Sequence, residues 1–331
     1  MPKSVETNTT VQTVKTLSQG NAFTGTYILR KRTVKNARNG SPFLSVELGD
    51  KTGAFSTTVF SDSPLFDPLS EAAEGSILKT SAAVDFYQGR FAPRLTAITE
   101  LDQNALSAEE REALIESSPE DAASMWDELL TCVDAIPCEK LRAVTQSAFN
   151  EICETFRTAA AAVSMHHAYL GGLLEHTLHV ARAARALLPL YPQVDSSLAL
   201  AGALLHDIGK TLEYTQPPAV SRTRTGILHG HVVLGYQLVR RHGLKNKLPP
   251  TLLERLEHII LSHQGELEWG AAVMAATPEA VFVSMVDNLD AKMGMVQRAL
   301  RTAPEGTEFS DFLPGLKAAV LLSPPETDPA A

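Results

Sequence analysis

The chain has 331 residues, 44% hydrophobic and 20% charged, with a formal net charge of -9. That composition describes a globular protein with room for two or three domains. No apolar run reaches the ~18 residues needed to cross a bilayer, which excludes a membrane-spanning helix. The acidic balance at first argues against a nucleic-acid partner. Its distribution changes the argument. From Glu100 to Glu128 there are ten acids and one base, which accounts for the whole imbalance. The first fifty residues hold seven Lys or Arg against three acids, so a local anionic ligand remains open. Cys132, Cys138 and Cys153 form no CxxC pair, and residues 1–20 lack the order of a signal peptide, so a reducing cytoplasm and no membrane partner are expected.

Residues 1–20 show no period and are read as a weakly ordered arm. From Ala22 the texture is β. Strands are expected at 23–31, 43–48, 54–60, 76–86 and 90–99, with turns at Asn39-Gly40, Asp50 to Gly53 and Gln88-Gly89. A short helical piece, 64–73, falls between the third and fourth strands. That order fits an OB-fold, a small closed five-stranded barrel, over 21–101. Arg30, Lys31, Arg32, Lys35 and Arg38 are its candidate phosphate contacts. Phe43, Phe60, Phe86, Tyr87 and Phe91 can stack on bases or simply fill the barrel, one or two of them facing a ligand. Residues 102–121 read as an acidic linker, with a helix start at Ser107.

Beyond residue 122 the pattern is helical. Helices are expected at 125–133, 138–148, 150–162, 172–188, 196–210, 229–242, 250–263 and 277–300. The architecture is thus β followed by all-α, with a helical domain at 122–312 and a C-terminal segment at 313–331 whose tail is disordered. The stretch Leu204-Leu-His-Asp-Ile-Gly-Lys210 stands out. His206 and Asp207 end an apolar helix, and an imidazole beside a carboxylate suits a divalent metal of intermediate hardness. The plain alternative is a helix C-terminus, with Gly209 supplying the turn and Lys210 complementing the dipole. All ten histidines lie between 166 and 263, none in the β half. Helix bundles build metal sites from inward side chains on facing helices. His176, His206, His263 and Asp287 sit in otherwise apolar text, where an unpaired carboxylate is costly and a metal is a good partner.

The order His176, His206-Asp207, Asp287, with His231 and His263 between, resembles that of the HD-domain metallophosphohydrolases. The surrounding words Gly171-Gly-Leu-Leu-Glu-His-Thr177, His206-Asp-Ile-Gly-Lys210, Gly230-His231, Leu261-Ser-His263 and Val286-Asp-Asn-Leu-Asp-Ala-Lys292 are similar to those of the YhaM-type 3′→5′ exoribonucleases. That family also carries an OB-fold ahead of its HD domain. The resemblance implies a primary site of His176, His206, Asp207 and Asp287. Asp207 then bridges to a second ion held by His231 and His263. It also implies possible assembly into a homo-oligomer. Manganese is the first choice of ion, with cobalt, iron, magnesium and zinc as alternatives. The chain departs from many relatives in having Gln264, a poor ligand, after His263. Two cations ~3.5–4 Å apart activate water and steady the attacking and leaving oxygens of an in-line phosphoryl displacement. Asp207 and Lys210 are the catalytic candidates, Lys210 as a point charge on a phosphate oxygen or else as a solvated lysine. Arg222 and Arg224 can guide a polynucleotide or stand in solvent. His166, His167, His179, His229, His242 and His258 are read as surface, supporting or core residues. Glu175 and Asp290 either orient ligands or form helix salt bridges.

The expected activity is metal-dependent 3′→5′ hydrolysis of single-stranded RNA, or DNA, to nucleoside 5′-monophosphates. A nucleotide phosphohydrolase acting on a small nucleotide is the alternative, although such an enzyme has no use for a strand-binding module. A non-catalytic binding module is the third reading, and the complete ligand set speaks against it.

Overall fold

The computed structural model describes residues 13–37, 40–87, 90–102, 106, 110, 113–114, 118, 120–161, 169–216, 220–303 and 307–323. Arg38, the Gln88-Gly89 turn, the helix start at Ser107, His166, His167 and the tail beyond Ser323 lie outside the described residues. The chain divides into two compact units, one built on Met1–Ser117 and one on Ser118–Gln216 with Val220–Ala331.

The first unit is an antiparallel sheet of five strands in the order β3-β2-β1-β4-β7. β1 (Ala22–Asn36) is its spine, flanked by β2 (Pro42–Asp50) and β4 (Ile77–Ala83). β3 (Gly53–Phe60) and β7 (Arg94–Leu101) are the edges. β5 (Phe86–Tyr87) and β6 (Arg90–Phe91) form a separate small hairpin. The expected closed barrel is therefore corrected to a barrel-like open sheet, since no ladder joins β3 to β7 among the described residues. Alternation explains the core. Leu44, Val46 and Leu48 of β2 are buried, and the facing Phe55 and Val59 of β3 join them. Tyr27 and Phe55 meet edge to face, with ring centroids 5.4 Å apart. α1 (Phe66–Glu71) buries Leu69 in this core.

Residues 14–19 depart from the expected loose arm. They form a 3-10 helix that buries Leu17, and the Val14 amide donates to Asp50 at 2.7 Å. The acidic linker likewise packs where it is described, with Leu106 and Leu114 against Ile28 and Ile77.

The second unit is helical: α2 (Ala122–Asp134), α3 (Glu139–Thr158), α4 (Gly172–Leu187), α5 (Ser196–Leu205), α6 (Lys210–Glu213), α7 (Arg224–Lys245), α8 (Pro250–Ser262) and α9 (Pro278–Thr302). The two helices expected at 138–148 and 150–162 are one, because Phe149 is fully buried at the supposed break. α5 is apolar on every side and sits in the middle of the core, as a helix without a polar face must. Asp195 caps it, accepting from the Leu198 amide at 2.9 Å. Residues 307–323 add two isolated β-bridges, Phe309 with Leu321 and Leu313 with Ala318. No described helix is long and apolar enough to cross a membrane.

Candidate metal centre

The centre forms where α4, α5, the turn after it, α7, α8 and α9 converge. α5 stops at Leu205 rather than at Lys210, because His206 turns its ring back onto the helix end. Its Nδ1–H donates to the Ala203 carbonyl at 2.8 Å. His263 closes α8 identically, donating from Nδ1 to the Ile260 carbonyl at 2.7 Å. Each bond satisfies a carbonyl that the helix end leaves open. A carbonyl only accepts, so each neutral ring must carry its lone pair on Nε2.

Gly209 does not supply the left-handed turn expected of it, since its φ is -67°. A side chain there is excluded for another reason: a Cβ would lie 2.0 Å from the His231 carbonyl oxygen. The turn 206–209 therefore sits directly on α7. That helix begins at Arg224, five residues before the expected start, and kinks at Gly230, whose φ of 68° and ψ of 158° suit glycine alone. The kink precedes His231. His231 Nδ1 donates to the Glu213 carboxylate of α6 at 2.8 Å, which leaves Nε2 pointing inward. His176, fully buried on α4, bonds Asp290 of α9 through Nδ1 at 2.7 Å.

Four imidazoles are thus held by their outer nitrogens while their Nε2 atoms converge on Asp207. His176 and His206 Nε2 lie 3.3 and 3.4 Å from Asp207 Oδ2. His231 and His263 Nε2 lie 3.5 and 3.4 Å from Oδ1. Asp287 Oδ1 faces the first pair at 3.2 and 3.7 Å. Two groups result that have the reach to hold an ion, His176-His206-Asp207 and Asp207-His231-His263, and they share one carboxylate. The donors fit divalent cations on a specific observation: Asp207 Oδ1 is buried yet accepts no hydrogen bond among the described residues. Such an atom costs stability unless a cation or donor meets it.

The charges agree. Burial opposes ionisation of Asp207, but Lys210 and His206 outweigh it and hold the carboxyl well below the ordinary range. Asp287 is likewise pulled down to about 2, His206 and His176 overcoming burial. Burial also works against a charged His176, yet hydrogen bonds to Asp207, Asp287 and Asp290 raise it well above its ordinary value. Lys210 is buried rather than solvated, and its ammonium sits 2.5 Å from Asp207 Oδ2.

The remaining expected residues are placed as follows. Asp290 orients His176, whereas Glu175 accepts from the Tyr169 hydroxyl. His179 bonds Asp290 and Glu120, His242 bonds Ser147, and His258 accepts from the Ala276 amide. His229 is exposed, as is Arg224, and Arg222 lies 3.5 Å from Glu213. In the first unit Lys31 and Lys35 are exposed. Arg32, half-buried, instead donates to the Leu69, Ser70 and Ala72 carbonyls at the end of α1; Arg30 is exposed like the lysines and also donates to the Asp50 carbonyl. Phe60, Phe86 and Tyr87 are more than half exposed, and Phe91 packs on the core. Glu213 was not expected. It follows Lys210 without any spacing signal, and only the fold brings it to His231.

This helical unit with its paired His/Asp groups defines an HD domain, and the HD domain family model matches residues 173–292. The similarity extends well beyond that domain. The chain is 30% identical over 292 residues to the 3′-5′ exoribonuclease YhaM of Geobacillus sp. (strain WCH70), covering 88% of this chain and 89% of that one. The chain belongs to the YhaM exoribonuclease family.

Proposed function

We propose that the protein shortens single-stranded RNA from its 3′ end, releasing nucleoside 5′-monophosphates, with hydrolysis at a two-ion centre in the helical unit. The observation that carries this reading is the shared carboxylate of Asp207, with two Nε2 atoms on each of its oxygens. Divalent cations at such a centre polarise the scissile phosphate and activate the attacking water. His176, His206, Asp207 and Asp287 would hold the first ion; Asp207, His231 and His263 would hold the second. Manganese is the expected ion, with cobalt, iron, magnesium and zinc as competitors, because His/Asp sets take several metals.

The protein's own contribution is preorganisation. Asp290, Glu213 and two backbone carbonyls fix the imidazole rings before any ion or substrate arrives. Lys210 neutralises one carboxylate charge, which limits repulsion between Asp207 and Asp287. Its ammonium also lies close enough to the centre to meet a phosphate oxygen. Arg222 and Arg224 guide the strand near the centre. Lys31, Lys35 and the exposed Phe60, Phe86 and Tyr87 bind it on the first unit through phosphate charge and base stacking. Three free cysteines suit a cytoplasmic protein.

A 5′-labelled single-stranded RNA and a DNA twin, each incubated with manganese, cobalt, magnesium or zinc, test the reading. The expected product is a ladder of RNAs shortened one nucleotide at a time, strongest with manganese. Internal cuts, or hydrolysis of free nucleotides with RNA left intact, would refute it.

A further inference from the structure

Gln264 follows His263, and its carboxamide nitrogen lies 3.1 Å from His231 Nε2 and 3.0 Å from His263 Nε2. Both rings have Nδ1 committed as donors, one to a carboxylate and one to a carbonyl. In the neutral, metal-binding form of each ring, Nε2 then presents a lone pair. A primary amide carries two N–H bonds, so one nitrogen serves both rings. Against neutral rings the opposite orientation would set an oxygen against two nitrogen lone pairs, which favours the amide as placed. Gln264 gives these two nitrogens the partner a cation would otherwise give them. It leaves the third atom of the group, Asp207 Oδ1, without a hydrogen bond among the described residues. The first group differs. There His176 and His206 Nε2 face each other directly at 3.1 Å, with the Asp207 and Asp287 carboxylates beside them.

We propose that Gln264 is a built-in competitor for the second ion, and that it makes the two positions of the centre unequal. The first position has no carboxamide to displace among the described residues. The second fills only when the Gln264 side chain swings off both imidazoles. This rests on the two-ion reading above and concerns only the order and strength of loading. Losing two ordinary hydrogen bonds corresponds to roughly a 10- to 100-fold weaker second ion. At limiting metal the protein is then a one-ion species, and full loading follows the metal supply.

The test is a Mn²⁺ titration of the chelator-treated full-length protein, read by calorimetry and by the electron paramagnetic resonance of free and spin-coupled Mn²⁺. The wild type is expected to take up one ion tightly and a second roughly 10- to 100-fold more weakly. Gln264→Ala should tighten the second ion and leave the first unchanged. Gln264→His, which replaces the competitor with a ligand, should tighten it further, so that spin-coupled pairs form at lower Mn²⁺. Equal affinities in the wild type overturn the proposal. So does a weaker second ion in Gln264→Ala, which would make the carboxamide oxygen a ligand. Absence of even the first ion would instead sink the metal-centre reading, and the first-ion isotherm separates the two failures.

Discussion

His206 and His263 end two different helices by one device: each ring bonds the carbonyl three residues back, and the two rings then meet with centroids 5.2 Å apart. A helix terminus that normally needs a cap is closed by the same side chain that faces the metal centre. Closing the helix and facing the candidate ion site are thereby left to different atoms of one imidazole.

That division predicts how two substitutions at position 206 should differ. Asparagine places its amide near the Nδ1 position, and glutamine reaches the Nε2 position. His206→Asn should keep the Ala203 bond, with stability within about 1 kcal/mol of wild type, and lose the first ion. His206→Gln should keep weak ion binding and lose the cap. Thermal unfolding and Mn²⁺ titration of both variants check this.

The groups behind the imidazoles should matter almost as much. Asp290→Asn and Glu213→Gln leave each ring in place but weaken the acceptor that orients it. Each is expected to lower affinity for its own ion by roughly 10- to 100-fold, Asp290 for the first and Glu213 for the second. Competition with a chelator of known strength measures it. An equal effect of both variants on both ions would contradict the pairing.

Metal uptake should release a proton. His176 is held well above its ordinary value, so below that raised value its ring carries a proton that an ion must displace. Affinity for the first ion should therefore rise with pH and level off once pH passes the raised value. The expected slope below it is about one decade per pH unit. Calorimetry in two buffers of different ionisation enthalpy should report the released proton, and a pH-independent affinity would contradict it.

Part of this cluster was legible in the sequence, because His176, His206, His263 and Asp287 are rare residue types in apolar text. The pairing of all six around a bridging Asp207, His231 included, came only from the resemblance to the HD-domain metallophosphohydrolases; the structure brings these side chains together. Their supports were harder to read. Glu213 reaches His231 because Gly209 lets α6 and α7 touch, and no spacing rule encodes that approach. Asp290 lies three residues after Asp287, on the same face of α9, so it was visible as one of two readings. Most strand positions of the first unit were legible from alternation and turn residues, but closure was not, because pairing of edge strands depends on sheet curvature rather than on local pattern. The basic run around Arg30 looked uniform for a related reason: charge does not say which side chain turns back onto its own backbone.

The structure splits that run, and the split is testable. Arg32→Ala should destabilise the first unit by roughly 1–3 kcal/mol, because it leaves carbonyls at the end of α1 without a donor. Lys31→Ala and Lys35→Ala should leave stability unchanged, weaken RNA binding, and reduce the dependence of binding on salt by about one ion each. Denaturant unfolding and binding isotherms at several salt concentrations distinguish the two effects.

The shared carboxylate is the point on which everything else turns. Asp207→Asn keeps the shape of the side chain and removes its charge, so the variant should remain folded. Incubated with 5′-labelled single-stranded RNA and Mn²⁺ beside the wild type, it is predicted to leave the RNA at full length while the wild type shortens it stepwise from the 3′ end. Stepwise shortening by the folded variant at the wild-type rate would contradict the account.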